Sequence, residues 1–303
     1  MPVLLNKNVP INDKIAAYDQ VLVMSRDFLR NELIAAGFPP ERVHLFYFGG
    51  NTKRYHPVRL TDEEQKRYGR DIAFTGNYYD LREATVLMGK RLASELYHWM
   101  VEAEEFYPTI VREKLHELER TIGPITFSDS VRNTFQTHYG EHYDREHILM
   151  IHGWLGISGA ALRLSYLQEI ADMHLSIWGQ GWDQDLRLRH AWRGNAAHGE
   201  ELAKIYNASK INLHIGCFTN NHPRVFDIIA SGGFLLARFT PEDEGPGGIG
   251  DLFEIGKEID VFRTRKEMRQ KIEYYLTHEE ERRTIARRGY ERLVKEHTLA
   301  HRM

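Results

Sequence analysis

The sequence predicts an α/β protein in which a parallel sheet is interrupted by a mainly helical insertion. Short apolar runs alternate with amphipathic stretches at both ends of the chain, which is typical of parallel strands joined by helices. Residues 82–171 instead carry little strand signal, and their apolar residues recur at helical spacing. The 303 residues are 42% hydrophobic and 27% charged, as in an ordinary globular protein with room for about two domains.

The first predicted unit is a strand, a helix and a second strand. The strand covers residues 19–24, and Ser25 can cap a helix that Gly37 ends. The next strand covers residues 43–48, and a charged stretch with the character of a linker follows it. We therefore predict that residues 1–70 form a remnant of a first Rossmann-like domain and a linker.

A second sheet is predicted from residue 71 onward. Its first strand, residues 71–75, runs directly into a glycine turn at Gly76 and Asn77. Further strands are predicted at residues 174–178, 211–215, 233–237 and 258–262, and helices at residues 198–208, 225–231, 266–277 and 279–296. Residues 71–303 are therefore expected to form a Rossmann-like domain that contains the helical insertion at about residues 82–171.

Composition excludes several classes of protein. No apolar run approaches the roughly 18 residues that a membrane-spanning helix needs, and the first residues do not resemble a secretory signal. A cytoplasmic location is therefore the default expectation. The single cysteine, Cys217, has no partner for an intrachain disulfide or a cysteine-based zinc site. A net charge of −3 argues against nucleic acid as the main partner.

The segment from residue 207 to 237 is the most informative for function. A strand, a polar loop, a helix and paired glycines follow one another there, and ligands bind at the carboxyl ends of such strands. Arg224, at the start of the helix, suits phosphate, and Asp227 can accept hydrogen bonds from ribose hydroxyls. A surface ion pair between these two residues is the alternative that their spacing leaves open.

A resemblance to a known family rests on this same segment. Residues 222–236, HPRVFDIIASGGFLL, resemble the signature of the CgeB-like (spore maturation protein-like) group of family-1-type glycosyltransferases. Later blocks fit that group in order and spacing: DLFEIGKEI at residues 251–259, YYLTH at 274–278, ERRTIARRG at 281–289 and HTLAHR at 297–302. The strong resemblance covers residues 174–303, and a weaker one covers residues 18–77.

The resemblance implies a nucleotide-sugar-dependent glycosyltransferase of the GT-B type, in which a second Rossmann-like domain holds the donor. It implies no essential metal and no cofactor besides the nucleotide-sugar. The acceptor is left undefined as a glycan, a protein or a lipid-linked molecule. Because the first domain is short, either a partner chain or a homo-oligomer is expected to supply the rest, or the helical insertion at about residues 82–171 takes over part of its function. A non-catalytic nucleotide- or sugar-binding module that acts with a partner chain is the alternative function. No catalytic residue is nominated, since catalytic bases of the family come from the first domain.

The resemblance also assigns donor-binding residues. Arg224 is similar to the arginine expected near the diphosphate, and Asp227 stands where the family has a ribose-binding glutamate. Thr219 stands where many retaining relatives have a second glutamate, so the stereochemical outcome is not implied. Trp182 is expected near the base or wall of the cleft. The full set is Gly76, Asn77, Gly179, Gly181, Trp182, Asn221, His222, Arg224, Asp227, Gly232 and Gly233.

Three other patterns in the sequence resemble dinucleotide- or metal-binding motifs. Gly245–Gly250 has the glycine spacing of a dinucleotide fingerprint but does not follow its strand directly, so a loop is preferred to a site for NAD. Asp183 and Asp185 match a metal-binding pair of another glycosyltransferase fold, and a surface loop is preferred there. The histidines of the middle block, His138, His142, His147 and His152, do not form a recognised zinc motif.

Two further positions have competing interpretations. His214 lies at the expected carboxyl end of a strand, where it can contact phosphate or sugar or make a structural hydrogen bond. Trp178, inside a predicted strand, is expected in the core and not on a base or sugar ring.

Overall fold

The computed structural model describes residues 19–24, 30, 33–34, 37–78, 162–216, 220–240 and 243–302. Predictions that concern Ser25, Cys217, Thr219, the four histidines of the middle block and most of the helical insertion lie outside these residues. The described residues belong to two compact units, the first ending at Tyr47 and the second beginning at Phe48.

The described part of the first unit contains two parallel strands, as predicted. Strand β1 (Val21–Met24) pairs with β2 (Val43–Phe46), and Val21 lies opposite Val43. A short 3₁₀ turn, Pro40–Arg42, leads into β2. The strands share a small apolar core whose buried members are Val21, Val23, Phe38 and Val43.

The second unit is built on one parallel sheet. Its strands are β3 (Ile72–Thr75), β4 (Leu175–Trp178), β5 (Ile211–His214), β6 (Leu235–Arg238) and β7 (Asp260–Phe262). They lie in the order β4-β3-β5-β6-β7, and every pair is parallel. The predicted α/β class with a Rossmann-like parallel sheet is confirmed for the described residues.

Helices connect these strands. They are α1 (Asp62–Tyr68), α2 (Glu200–Ala208), α3 (Pro223–Ala230), α4 (Ile249–Leu252), α5 (Arg265–Thr277) and α6 (Glu279–Glu296), and residues 162–169 are also helical. Short 3₁₀ turns cover Trp182–Gln184 and Leu299–Arg302. Among the described residues, no helix has both the length and the apolar character that crossing a bilayer requires.

Helix α1 lies in the stretch that was predicted to be a linker. Thr61 caps it, since its hydroxyl accepts from the Glu64 N–H at 3.2 Å while the Glu64 carboxylate accepts from the Thr61 N–H at 2.9 Å. Tyr68, the last residue of α1, is buried against Trp178, with ring centroids 5.9 Å apart. A reciprocal capping pair and one buried aromatic residue therefore give this highly charged segment a defined structure.

Helix α3 lies at the centre of the core. Val225, Phe226, Ile228 and Ile229 are each at most 1% exposed, which is worth about 1.5–3 kcal/mol for each large side chain removed from water. Trp178 is also buried, as predicted, with 6% of its surface exposed. Because α3 is packed on both sides, the residues at its first turn occupy fixed positions.

Candidate functional site

The order of the strands defines where a ligand is expected. Strands β3 and β5 are neighbours in the sheet, and the chain continues from β3 to β4 on one side but from β5 to β6 on the other, so the connections after these two strands run in opposite directions. Ligands of open α/β sheets bind outside the carboxyl ends of the strands at such a point. Here those ends carry Gly76 after β3 and the loop that leads from β5 into α3.

Arg224 lies at this point, in the first turn of α3. His222 caps the helix, because its Nδ1 accepts from the Arg224 N–H at 3.2 Å, and Pro223 favours the first helical position. The Arg224 guanidinium lies 6.0 Å from the centre of the Phe74 ring, and a β-carbon on Gly76 would approach its Nη2 to 3.3 Å. The arginine therefore faces the glycine turn after β3.

The guanidinium of Arg224 has no carboxylate partner among the described residues. The surface ion pair with Asp227, which the sequence left open, does not form. Arg224 is only partly buried, so an anion can reach it from solvent. A cation that is held beside a helix amino terminus and is not neutralised is suited to bind phosphate.

Asp227 follows one turn later on the same helix and is partly buried. Burial raises the pKa of its carboxyl to about 7, although Arg224 and Arg54 act in the opposite direction. The carboxyl group therefore changes its charge near neutral pH. In its ionised form it can accept hydrogen bonds from two neighbouring hydroxyls.

Three residues that sequence reasoning missed surround Asp227. Burial is the largest cause of the raised pKa of Tyr55 and of Tyr206, and the charge of Asp227 raises both pKa values as well. The charge of Arg54 in turn lowers the pKa of Asp227. The Tyr55 hydroxyl accepts from the Gly199 N–H at 3.2 Å, and the Tyr206 hydroxyl bonds to Thr75 Oγ1 at 2.9 Å. Arg54 and Tyr55 come from a segment far from α3 in sequence, so no local pattern indicated them.

Arg163 extends the positive region beside Arg224, and the buried ring of His214 lies next to this region. Burial first, and then His222, Arg224 and Arg163, lower the pKa of His214 well below its usual value, so the ring is neutral. His214 is 3% exposed and its Nδ1 has no partner among the described residues, so the structural hydrogen bond expected there is not observed at this atom. The Arg163 guanidinium lies 5.7 Å from the Phe74 ring centre, which places a second arginine near the end of β3.

This site, except for Gly76 and the Arg54–Tyr55 segment, lies in one matched part of the chain. Residues 162–303 match the family model of glycosyl transferase-like proteins. We refer to residues 162–303 as the glycosyl transferase-like segment. No curated protein matches the chain.

Several solved structures align with most of the chain at low identity. A glycosyltransferase from Rickettsia africae is 11% identical, with a TM-score of 0.44 over 96% of this chain and 64% of that one. Anabaena HepE in complex with UDP and glucose is 10% identical, with a TM-score of 0.45 over 98% and 66%. Sucrose-phosphate synthase from Thermosynechococcus elongatus is 12% identical, with a TM-score of 0.43 over 99% and 63%. The chain thus spans less than two thirds of the length of each of these proteins.

The glycine turns predicted to bind the donor lie together at the carboxyl ends of β3 and β4. The Gly76 carbonyl accepts from the Trp182 indole N–H at 2.6 Å, and the Asn77 side chain accepts from the Gln180 N–H at 3.1 Å. Gly179 has a φ of +147°, and a β-carbon there would lie 2.2 Å from the Gly76 oxygen. Only glycine fits this close approach.

Trp182 packs beneath the glycine turn that follows β3. It is 2% exposed and packs edge-on against Phe74, with ring centroids 5.9 Å apart, and against Tyr78 at 5.4 Å. Gly181, with a φ of +83°, precedes the 3₁₀ turn that carries it. The expectation that Trp182 lies near the base or wall of a donor cleft stays a prediction.

Asn221 connects the loop before α3 to two other segments of the second unit. Its Oδ1 accepts from the Phe48 N–H at 2.7 Å, and its Nδ2 donates to the Gly247 carbonyl at 2.7 Å. The neighbouring Asn220 donates its backbone N–H to the buried carboxylate of Asp243 at 2.6 Å. These bonds hold the loop that presents His222 and Arg224.

Gly232 and Gly233 are not brought together with the other predicted residues. They follow the end of α3 and precede β6, so they lie at the amino-terminal edge of the sheet. A β-carbon on Gly233 would lie 2.7 Å from both Asn212 Nδ2 and the Tyr206 carbonyl oxygen. The close approach of α2 and β5 to Gly233 explains why a glycine is needed here without any ligand.

The other motifs have structural roles in the described residues. Asp185 Oδ1 accepts from the N–H groups of Arg187 and Leu188, both at 2.9 Å, which closes a turn. No three His, Cys, Asp or Glu side chains converge into a metal-binding arrangement in the part of the chain that the structure describes. The loop of the dinucleotide-like motif follows β6 and leads into α4, and it is tied to Asn221 through the Gly247 carbonyl.

Proposed function

We propose that this chain binds a nucleotide-sugar at the carboxyl edge of the second sheet and transfers its sugar to an acceptor, as a CgeB-like glycosyltransferase of the GT-B type. The observation that carries the proposal is the position of Arg224. Its guanidinium stands beside Gly76 where the direction of the sheet connections changes, without a carboxylate partner among the described residues, within the glycosyl transferase-like segment.

The proposed chemistry is electrostatic. The bond between the anomeric carbon and the diphosphate oxygen breaks, and its electron pair stays on the departing nucleoside diphosphate. An acceptor hydroxyl forms the new bond to the anomeric carbon, and its proton passes to the departing diphosphate or to water. Arg224 and the amino terminus of α3 stabilise the negative charge that develops on the diphosphate, which is the task a metal ion performs in other enzymes.

Asp227 orients the nucleoside in this proposal. It lies three residues after Arg224 on α3, so the two side chains are separated by about 4.5 Å along the helix axis. Arg224 would hold the diphosphate and Asp227 the ribose hydroxyls, which are adjacent parts of one donor molecule. The half-buried position of Asp227 strengthens such hydrogen bonds, because water competes less for the carboxylate.

Incubation of the purified chain with a panel of nucleotide-sugars tests the proposed reaction. We expect slow release of nucleoside diphosphate from one of them, and a loss of that release in Arg224→Ala. Arg189→Ala, which removes an exposed arginine of the turn before Trp192, serves as the matched control. Binding of nucleotide without any turnover would contradict the enzymatic function and support the alternative, a binding module that acts with a partner chain supplying the acceptor domain.

A further inference from the structure

A charged cavity lies at the amino-terminal edge of the same sheet, opposite the proposed donor site. It has a volume of about 450 Å³ and is bordered by the residues that precede β3, β4 and β5, which are Asp71, His174 and Lys210. Arg70, Arg193 and Ser176 complete the polar part of its wall. We propose that this cavity is an anion-binding site for the phosphate group of a small molecule, separate from the donor site.

The single carboxylate of the cavity is already neutralised. Lys210 Nζ lies 2.6 Å from Asp71 Oδ1, and His174 Nδ1 lies 3.0 Å from Asp71 Oδ2. Burial acts to raise the pKa of Asp71, but the hydrogen bonds from Lys210 and His174 outweigh it and lower the pKa. Asp71 is therefore ionised and already paired with Lys210 and His174. It does not balance the charges of Arg70 and Arg193.

Arg70 and Arg193 have no carboxylate partner among the described residues. Arg70 Nη1 donates to the Lys66 carbonyl at 3.1 Å and to that of Gly69, while Arg193 Nη1 donates to the His190 carbonyl at 2.9 Å. Burial and the charge of Arg193 lower the pKa of Arg70. Backbone carbonyls thus fix two mutually repelling cations beside one cavity, and an anion between them would relieve that repulsion.

Ser176 is a buried polar residue of the cavity wall. It is 1% exposed, borders the cavity, and its hydroxyl has no hydrogen-bond partner in the described part of the chain. A buried hydroxyl without a partner is costly in a folded protein, and such groups are normally satisfied.

Helix ends explain only part of the positive charge. Helices α1 and α2 both end near the cavity, and basic residues are favourable beside the partial negative charge of a helix carboxyl end. This accounts for Arg70, which bonds to the last carbonyls of α1, and for Lys210. Arg193 lies on neither helix, so its place at the cavity calls for another explanation.

The chemistry of the wall selects phosphate. A guanidinium group offers two parallel donors that match two phosphate oxygens, and here the guanidinium groups of Arg70 and Arg193 border one cavity. The volume of the cavity also leaves room for an organic group attached to the phosphate.

Calorimetric titration of the full chain with inorganic phosphate tests the site, with Arg193→Gln as the main variant. This substitution removes contacts only to carbonyls of its own turn, and Arg189→Gln in the same turn is the matched control. We expect Arg193→Gln to weaken phosphate binding at least about tenfold, as for lost hydrogen bonds to a charged group, and Arg189→Gln to leave it unchanged. Arg70→Lys, which keeps the charge but loses the paired donors, should weaken binding less than Arg193→Gln does.

Arg224→Ala separates this site from the donor site. Phosphate binding at the amino-terminal edge should persist in Arg224→Ala, and Arg193→Gln should bind nucleoside diphosphate as the unmodified chain does. Absence of phosphate binding at millimolar concentration, or binding that disappears in Arg224→Ala and persists in Arg193→Gln, would overturn the proposal. The first result would leave the proposed donor site untested, whereas the second would assign the bound phosphate to Arg224 and so support that site, which keeps the two proposals distinguishable.

Discussion

Trp182 donates its indole N–H to the carbonyl oxygen of Gly76, and the two atoms are 2.6 Å apart. This bond joins the turn after β4 to the turn after β3. Gly179 lies between them so closely that a β-carbon there would be 2.2 Å from the same oxygen. The position of Gly76, which faces Arg224, therefore depends on a buried tryptophan that does not itself need to touch the donor.

Trp182→Phe tests this arrangement. The aromatic contacts with Phe74 and Tyr78 remain possible, but the Gly76 carbonyl loses its donor. We expect the free energy of unfolding to fall by about 1–3 kcal/mol, measured by urea denaturation, and the affinity for nucleoside diphosphate to fall as well. Trp192→Phe is the matched control, because its indole N–H bonds to the Gly179 carbonyl at 2.7 Å. An equal loss of affinity in both variants would show that the Trp182 bond has no special role.

Arg224→Ala tests the cation at the start of α3. We expect the affinity for a nucleoside diphosphate to fall about 10–100-fold, because hydrogen bonds from a charged donor are lost, while the affinity for the nucleoside changes little. Calorimetry on both ligands measures the difference, and Arg189→Ala controls for the general loss of positive charge. Equal losses for diphosphate and nucleoside would contradict a diphosphate contact.

The raised pKa of Asp227 leads to a specific pH dependence of the free energy of unfolding. Its pKa is about 7 in the folded chain and about 4 when unfolded, so between these values the folded state holds a proton that the unfolded state has released. The free energy of unfolding should therefore fall as the pH rises through this window and level off above about pH 7. In Asp227→Asn this decline should disappear, as measured by urea denaturation at several pH values. Parallel pH profiles for the two proteins would contradict the raised pKa.

We expect the replacement of Arg238 by an apolar residue to raise the stability of the protein. It is 0% exposed, its Nε and Nη2 have no partner among the described residues, and Nη1 reaches only the Gly216 carbonyl at 3.3 Å. Replacing such a buried cation by an apolar side chain of similar size, Arg238→Met, should raise the free energy of unfolding by about 1–4 kcal/mol.

A contrasting variant controls for the effect of burying methionine. Lys271 Nζ lies 2.9 Å from Asp260 Oδ1, and Asp260 is 4% exposed. Lys271→Met leaves this carboxylate without its cation, so it should lower the melting temperature, while Arg238→Met raises it. A lower melting temperature in both variants would contradict the account of Arg238.

The sheet was predictable because its strands are short apolar runs that end in turns. Strands β5 (Ile211–His214) and β4 (Leu175–Trp178) are buried on both faces, so their composition alone distinguishes them from the helices. Helix α1 was missed because its charged residues obscured a readable capping pair, Thr61 and Glu64. The high proportion of charged residues suggested a linker, whereas the helix start is indicated only by Thr61 and Glu64.

The site was predictable only where its residues are neighbours in sequence. Arg224 and Asp227 share one helix turn, so their spacing placed them together. Arg54 and Arg163 reach the same region from segments far from α3, and only folding brings them close. Gly233 resembles a binding glycine in sequence, but packing against Asn212 at the other edge of the sheet explains it.

The most direct test of the proposed donor site is calorimetric titration of the purified chain with UDP, GDP, ADP, CMP and NAD, repeated on Asp227→Ala. We predict that one nucleoside diphosphate binds, that NAD does not bind in preference to it, and that Asp227→Ala loses most of the binding. Failure of every nucleotide to bind, or equal binding by Asp227→Ala, would contradict a donor site at the carboxyl edge of the sheet.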